Sequence, residues 1–290
     1  MKAVTRHWYR IALHAASGET RLVAASGEHL GQAVAEAERA GRGAWAAAVE
    51  PATGSEIPLG ESVGKGQIVE LGALAQPVAG FRWPTGIVPT LAGAAALAGA
   101  CRGWIERAPR VTGPTAGDAS SRAPAHLYVI EAQTEADRLV DLFLGLIERL
   151  PAADNLEVRV LDHFEDAGAT DVWLTSRVDA RRILRFLDDH DEELVGNGHL
   201  ELSVYVRRHK ATLRLTEHKT VVWLAEQRAL ADDVKRWLGE LAVPRVDALV
   251  TVRDAPHFHF RPAKSRDRKK LGEELYRQRL RKVDVIRAAG

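Results

Sequence analysis

Two histidines stand one residue apart near the C-terminus, in His257-Phe258-His259-Phe260. On a strand alternate side chains share a face, so both imidazoles point one way and both phenyl rings the other. Two imidazoles on one face can hold a metal if a third ligand converges, and His163, His218 and Asp254 are the candidates for it. An edge strand that buries Phe258 and Phe260 and wets His257 and His259 satisfies the same pattern.

A second cluster, Asp162-His163-Phe164-Glu165-Asp166, follows a run that alternates as a strand does. A histidine flanked by acids has its charged form favoured and can act as a general base. The same residues also make an ordinary solvated loop. No serine or cysteine nucleophile in a recognisable setting accompanies His163. The single cysteine, Cys101, excludes an internal disulfide and a cysteine-based zinc site, and is expected as an inert residue of an apolar helix. No catalytic set beyond the candidate His163 emerges, so a non-enzymatic role without a cofactor is expected.

Gly60-Glu61-Ser62-Val63-Gly64-Lys65-Gly66 invites comparison with a phosphate-binding loop and fails it. The glycine spacing is one residue short, and Gly66 stands where a magnesium-binding Ser or Thr belongs. The apolar run Gly86 to Cys101, with a GxxxG match from Gly99 to Gly103, contains Pro89 and is followed by Arg102. It falls short of the ~20 apolar residues that a membrane span needs. A core helix is expected there, and membrane insertion is not.

Charge is unevenly spread. From His257 onward eleven bases face four acids, a net +7, whereas residues 1–256 carry 29 bases against 35 acids, a net −6. The bases expected to meet phosphates or an acidic partner are Arg261, Lys264, Arg266, Arg268, Lys269, Lys270, Arg277, Arg279, Arg281 and Lys282. Such a segment can equally fold back on the chain's own acidic body. A ferredoxin-like reader of RNA would place stacking aromatics on an open sheet face. Tyr128 and Trp173 fall on strands, but the strand motif typical of RNA readers is absent.

The elements that must position these residues follow from periodicity and turn chemistry. Residues 1–108 read as a small α+β module: strands at Trp8–Leu13, Arg21–Ala24 and Trp45–Val49, a helix from a Ser26 cap to Ala40, a short strand at 67–71, and a helix from Thr90 to Arg107. Residues 109–125, rich in Pro, Gly and Ser, read as a linker. Residues 126–256 read as an α/β (α+β) domain with a ferredoxin-like βαββαβ unit extended by ββαβ. Its helices run from a Thr134 and Asp137 capping box and from Asp179 to Leu194; its last strand runs from Val246 to Val252. Residues 257–290 read as a basic C-terminal arm.

Ordinary hydrophobic and charged fractions of 46% and 27% and no signal peptide lead to the expectation of a soluble cytoplasmic protein. Arginine exceeds lysine and alanine is abundant, as a GC-rich bacterial genome would encode. The expected function is that of a binding or adaptor protein that meets a protein partner through a sheet face or edge, in a setting such as bacterial defence or toxin–immunity. The alternatives are a nucleic-acid-binding protein or RNA-processing enzyme that uses the basic arm, and a membrane-active effector. Oligomeric state and the partner's identity are not legible.

Overall fold

A computed structural model describes residues 7–16, 19–52, 68–73, 82–89, 97, 101–112, 125–164, 167–255, 257–262 and 264–287. The glycine-rich run Gly60–Gly66, residues 113–124 of the expected linker, and most of Gly86–Cys101 lie outside them. The described chain is mixed α+β, with a four-stranded and an eight-stranded antiparallel sheet, a two-stranded ribbon and six α-helices. It divides into two compact units: Met1–Trp83, Ile87–Gly99 and Val252–His259 form the smaller, and Pro84–Gly86, Ala100–Thr251 and Phe260–Gly290 the larger.

In the smaller unit β1 (His7–His14), β2 (Thr20–Gly27), β3 (Trp45–Pro51) and β4 (Ile68–Ala73) pair in the order β3-β1-β2-β4. Helix α1 (Leu30–Ala40) packs Ala33 and Ala37 onto Ile11, Leu13 and Val23. The expected ββαβ order is present. The cap is one turn later than expected, because Ser26 belongs to β2 and His29 Nδ1 accepts from the Gln32 amide at 3.2 Å. β5 (Ile87–Pro89) pairs with β13 (His257–His259), so His257 faces Pro89 and His259 faces Ile87.

The larger unit opens with β6 (Gly103–Thr112) and β7 (Ala125–Gln133), paired antiparallel. Residues 103–107 are thus strand where a helix was expected, and Pro109 sits at a break in register between Arg107 and Arg110. Proline is tolerated there because a bulge on an edge strand needs no ladder amide. Cys101 precedes β6, half-buried and outside any helix.

Helix α2 (Leu139–Arg149) buries Leu139, Leu142, Phe143, Leu146 and Ile147, spaced one helical turn apart. A 3-10 turn, Ala136–Arg138, precedes it in place of a capping box, and the Thr134 hydroxyl donates to Glu135 instead. Then come β8 (Asn155–Val160), β9 (Ala169–Thr175), α3 (Ala180–Asp188), α4 (Asp191–Leu194) and β10 (Leu200–Val206). The helix expected over 179–194 breaks at Asp189-His190. β11 (Ala211–Leu215), β12 (Val221–Ala225) and α5 (Arg228–Glu240) follow. The strand expected over 246–252 is absent; one parallel bridge joins Arg245 to Trp104, and a 3-10 turn covers Val252–Asp254.

The residues expected as a free basic arm are folded. Helix α6 (Arg268–Arg277) is capped by Asp267, which accepts from the Lys270 amide, and β14 (Leu280–Arg287) joins the large sheet. Leu271, Leu275 and Leu280 are buried in the main core. The sheet order is β14-β9-β8-β10-β11-β12-β7-β6. The βαββαβ element order is therefore present, but the β11–β12 hairpin stands between β10 and β7. The elements do not close as a four-stranded ferredoxin-like sheet.

Leu156, Val158 and Val160 of β8 enter the core with Phe143, Trp223 and Leu238, on the face covered by helices. Trp173 lies opposite Val158 and under Gly272 of α6, so it is no open stacking platform, and Tyr128 likewise packs against the core. The opposite face carries Glu157, Arg159, Glu201 and Arg214, with the Tyr205 hydroxyl donating to Glu157 at 2.7 Å.

Candidate functional site

Strands β8, β10, β11 and β12 are neighbours and alternate in direction, so one end of the sheet gathers three connections: Leu161–Phe164, Asn197–His199 and Thr216–Thr220. The β11–β12 turn is closed by the Lys219 amide on the Thr216 carbonyl at 2.9 Å, with Lys219 at φ 60°. That conformation is unusual for a residue with a side chain and needs support from its surroundings. The support is the buried amine, which donates to the Asn197 carbonyl at 2.5 Å. Burial pulls the Lys219 amine down to about 7, opposed by the charges of Glu217 and Glu201.

His163 lies beside Asp162, its neighbour in sequence, and beside Glu217 from the β11–β12 turn, whereas Glu165 and Asp166 lie outside the described residues. His163 Nδ1 lies 3.4 Å from Asp162 and its Nε2 3.9 Å from Glu217, while His218 Nδ1 lies 3.7 Å from the other Glu217 oxygen. Burial raises the Glu217 carboxyl, with His163 opposing the shift. His199 stacks on Phe164 at 5.0 Å, and burial, followed by the positive charge of His163, Lys219 and Arg261, lowers it to about 4. Lys219 is sealed from solvent and serves to hold the turn, since an amine without access cannot attack a substrate.

In the smaller unit the two histidines of β13 do share a side. Their Nε2 atoms are 3.0 Å apart, the rings meet at 61°, and His257 Nδ1 lies 2.7 Å from the Ala255 carbonyl.

The C-terminal bases are mostly engaged within the fold. Arg266 pairs with Glu193 and Glu274, Arg277 with Glu273 and Glu274, and Lys270 with Asp267. Arg268 donates to the Leu161 and Ala169 carbonyls and, with Lys282, pairs with Asp171. Arg261 lies over the Phe164 ring and donates to the Arg266 carbonyl, and Arg281 lies over Tyr276. Lys264 and Lys269 are exposed. Most of these bases therefore have acid, carbonyl or ring partners within the fold, several of them at the surface.

No family model, curated protein or solved structure matches this chain.

What the C-terminal segment does offer is an edge. Among the described residues β14 ends the eight-stranded sheet and pairs with β9 alone, and its residues from Arg281 to Arg287 are exposed. Val283 is 56% exposed and Val285 and Ile286 are 45% exposed. A bulge at Lys282/Asp284 interrupts the ladder. Beside β14 a groove of about 850 Å³ is lined by Trp173 of β9, Gly272 and Tyr276 of α6, and Lys282. Trp173 Nε1 is buried and has no hydrogen-bond partner among the described residues. Neither the edge nor the groove was legible beforehand: a strand with no buried face has no alternation to read. Among the described residues no helix is long and apolar enough to cross a membrane.

Proposed function

We propose that this chain is a protein-binding module that captures an extended acidic segment of a partner by adding it as a strand to β14. The observation that carries the reading is the open edge, with three large apolar side chains in the solvent. An unpaired edge offers a row of backbone donors and acceptors, and proteins that do not use such an edge cover or shorten it.

Charge selects the occupant. β14 carries Arg281, Lys282 and Arg287 against Asp284. Antiparallel pairing with a second copy centred on Asp284 sets Arg281 against Arg287 and Asp284 against itself, like charges that destabilise a cross-strand pair. A strand rich in acids meets the opposite condition. The adjoining groove adds Lys269 and Arg277 beside Trp173, with Asp171 and Glu273 in the same lining, so an apolar side chain of the partner has a seat with a charged rim.

The test titrates the full chain with a labelled peptide of alternating glutamate and valine. Binding is expected to slow exchange of the β14 amides, and the double variant Arg281→Glu and Arg287→Glu is expected to weaken it at least about tenfold while accepting the matching lysine–valine peptide. Peptide binding that leaves β14 exchange and the charge-reversed variant unchanged sinks the proposal. Salt-sensitive binding of single-stranded RNA in its place would favour a nucleic-acid role.

A further inference from the structure

The proposed partner edge leaves the His257 and His259 pair unexplained, and its geometry is that of a chelate. The His257 Nδ1 proton is held by the Ala255 carbonyl at 2.7 Å, so His257 Nε2 accepts the 3.0 Å hydrogen bond from His259 Nε2–H, and a metal ion taken up between the rings displaces that proton. Metal-binding histidines are held in this way, with the second ring nitrogen donating to a carbonyl or carboxylate that fixes tautomer and orientation. Pairing of β13 with β5 sets both residues in register, so the spacing of the rings is built into the backbone.

The 3.0 Å between the Nε2 atoms also selects the ion. With metal–nitrogen bonds of about 2.0–2.1 Å, that separation corresponds to a nitrogen–metal–nitrogen angle of about 91–97°. This is the cis angle of a tetragonal site, the preference of Cu²⁺ and Ni²⁺. A tetrahedral zinc ion needs the nitrogens about 3.4 Å apart. We propose that His257 and His259 chelate a divalent metal ion of the copper and nickel class through their Nε2 atoms. The inference is independent of the partner edge.

The experiment adds Cu²⁺ to the full chain near neutral pH, with glycine as competing chelator, and repeats it with Ni²⁺ and Zn²⁺. One equivalent of Cu²⁺ is expected, with Zn²⁺ weaker. The double variant His257→Gln and His259→Gln is expected to lose about 100-fold or more in affinity, and His126→Gln none. On the wild-type chain, Cu²⁺ is expected to shield His257 and His259 from diethyl pyrocarbonate, read by mass spectrometry, which decides the matter even where the double variant fails to fold. Equal labelling with and without Cu²⁺, or one-equivalent binding that persists in a folded double variant, overturns the assignment.

Discussion

The Lys219 amine donates to the Asn197 carbonyl at 2.5 Å with its side chain buried from solvent, joining the β11–β12 turn to the loop that leads into β10. A buried ammonium with one such acceptor is poorly compensated, and the amine answers by releasing its proton near pH 7.

Stability should therefore rise with pH above neutrality. Between about 7 and 10.5 the unfolded chain holds a proton on Lys219 that the folded chain does not, so unfolding becomes less favourable as pH increases, by up to ~1.4 kcal/mol per pH unit. Lys219→Met keeps the volume and removes the titration. Urea midpoints at pH 7 and pH 9.5 should converge on, or cross, those of the variant as wild type gains. Parallel pH dependence in the two proteins would show that Lys219 does not titrate in this window.

On the acid side His14 acts in the same sense. Burial holds it at about 4 against an ordinary 6.5, with Nδ1 against the Thr20 hydroxyl at 2.8 Å. The folded state keeps this ring neutral while the unfolded chain protonates it, so stability falls as pH drops from 6.5 to 4, on the order of 2–3 kcal/mol for His14. His199 contributes in the same direction. His14→Gln should flatten that slope in thermal melts across the window; an unchanged slope would place the acid sensitivity elsewhere.

How much of this was legible depended on what each residue's neighbours are. α2 declared itself through Leu139, Val140, Phe143, Leu144 and Ile147 at helical spacing, although the buried stripe is Leu139, Leu142, Phe143, Leu146 and Ile147, and β11 and β12 declared themselves as a hairpin around Glu217-His218-Lys219. Residues 103–107 were misjudged because an alanine- and glycine-rich run precedes them, and helix propensity there yields to pairing with β7. The Val246–Val252 run has strand composition but no strand beside it beyond one bridge. Asp162, His163 and the His257 and His259 pair were visible as residue types. The convergence of Lys219, Asn197 and Glu217 was not, since it depends on β8, β10, β11 and β12 ending side by side.

Arg268 and Lys269 are adjacent bases with opposite duties. The Arg268 guanidinium is nearly buried and satisfies the Leu161 and Ala169 carbonyls while pairing with Asp171; Lys269 is exposed. Arg268→Met should cost roughly 2–4 kcal/mol, since it removes a nearly buried donor from two carbonyls and leaves Asp171 with Lys282 as its remaining cation. Lys269→Met should stay within about 0.5 kcal/mol of wild type. Chemical denaturation of both variants distinguishes a structural network from a decorated surface, and equal, small effects would restore the view of this segment as an appendage.

The same reasoning bears on removal of the segment. A chain ending at Pro256 loses Leu271, Leu275 and Leu280 from the core, bares the β9 edge, and strips Glu193 and Asp171 of their cations. Each buried leucine is worth roughly 2–5 kcal/mol, and three together approach the whole stability of a typical domain, about 5–15 kcal/mol. The truncated chain is expected to aggregate or to melt without a cooperative transition in circular dichroism. Loss of partner or nucleic-acid binding on truncation would then report unfolding, so charge reversals on exposed positions such as Arg281 and Arg287 are the cleaner probe. A monomeric truncated chain with an intact cooperative melt would show instead that α6 and β14 are dispensable additions, and would remove the structural basis for reading β14 as part of the sheet.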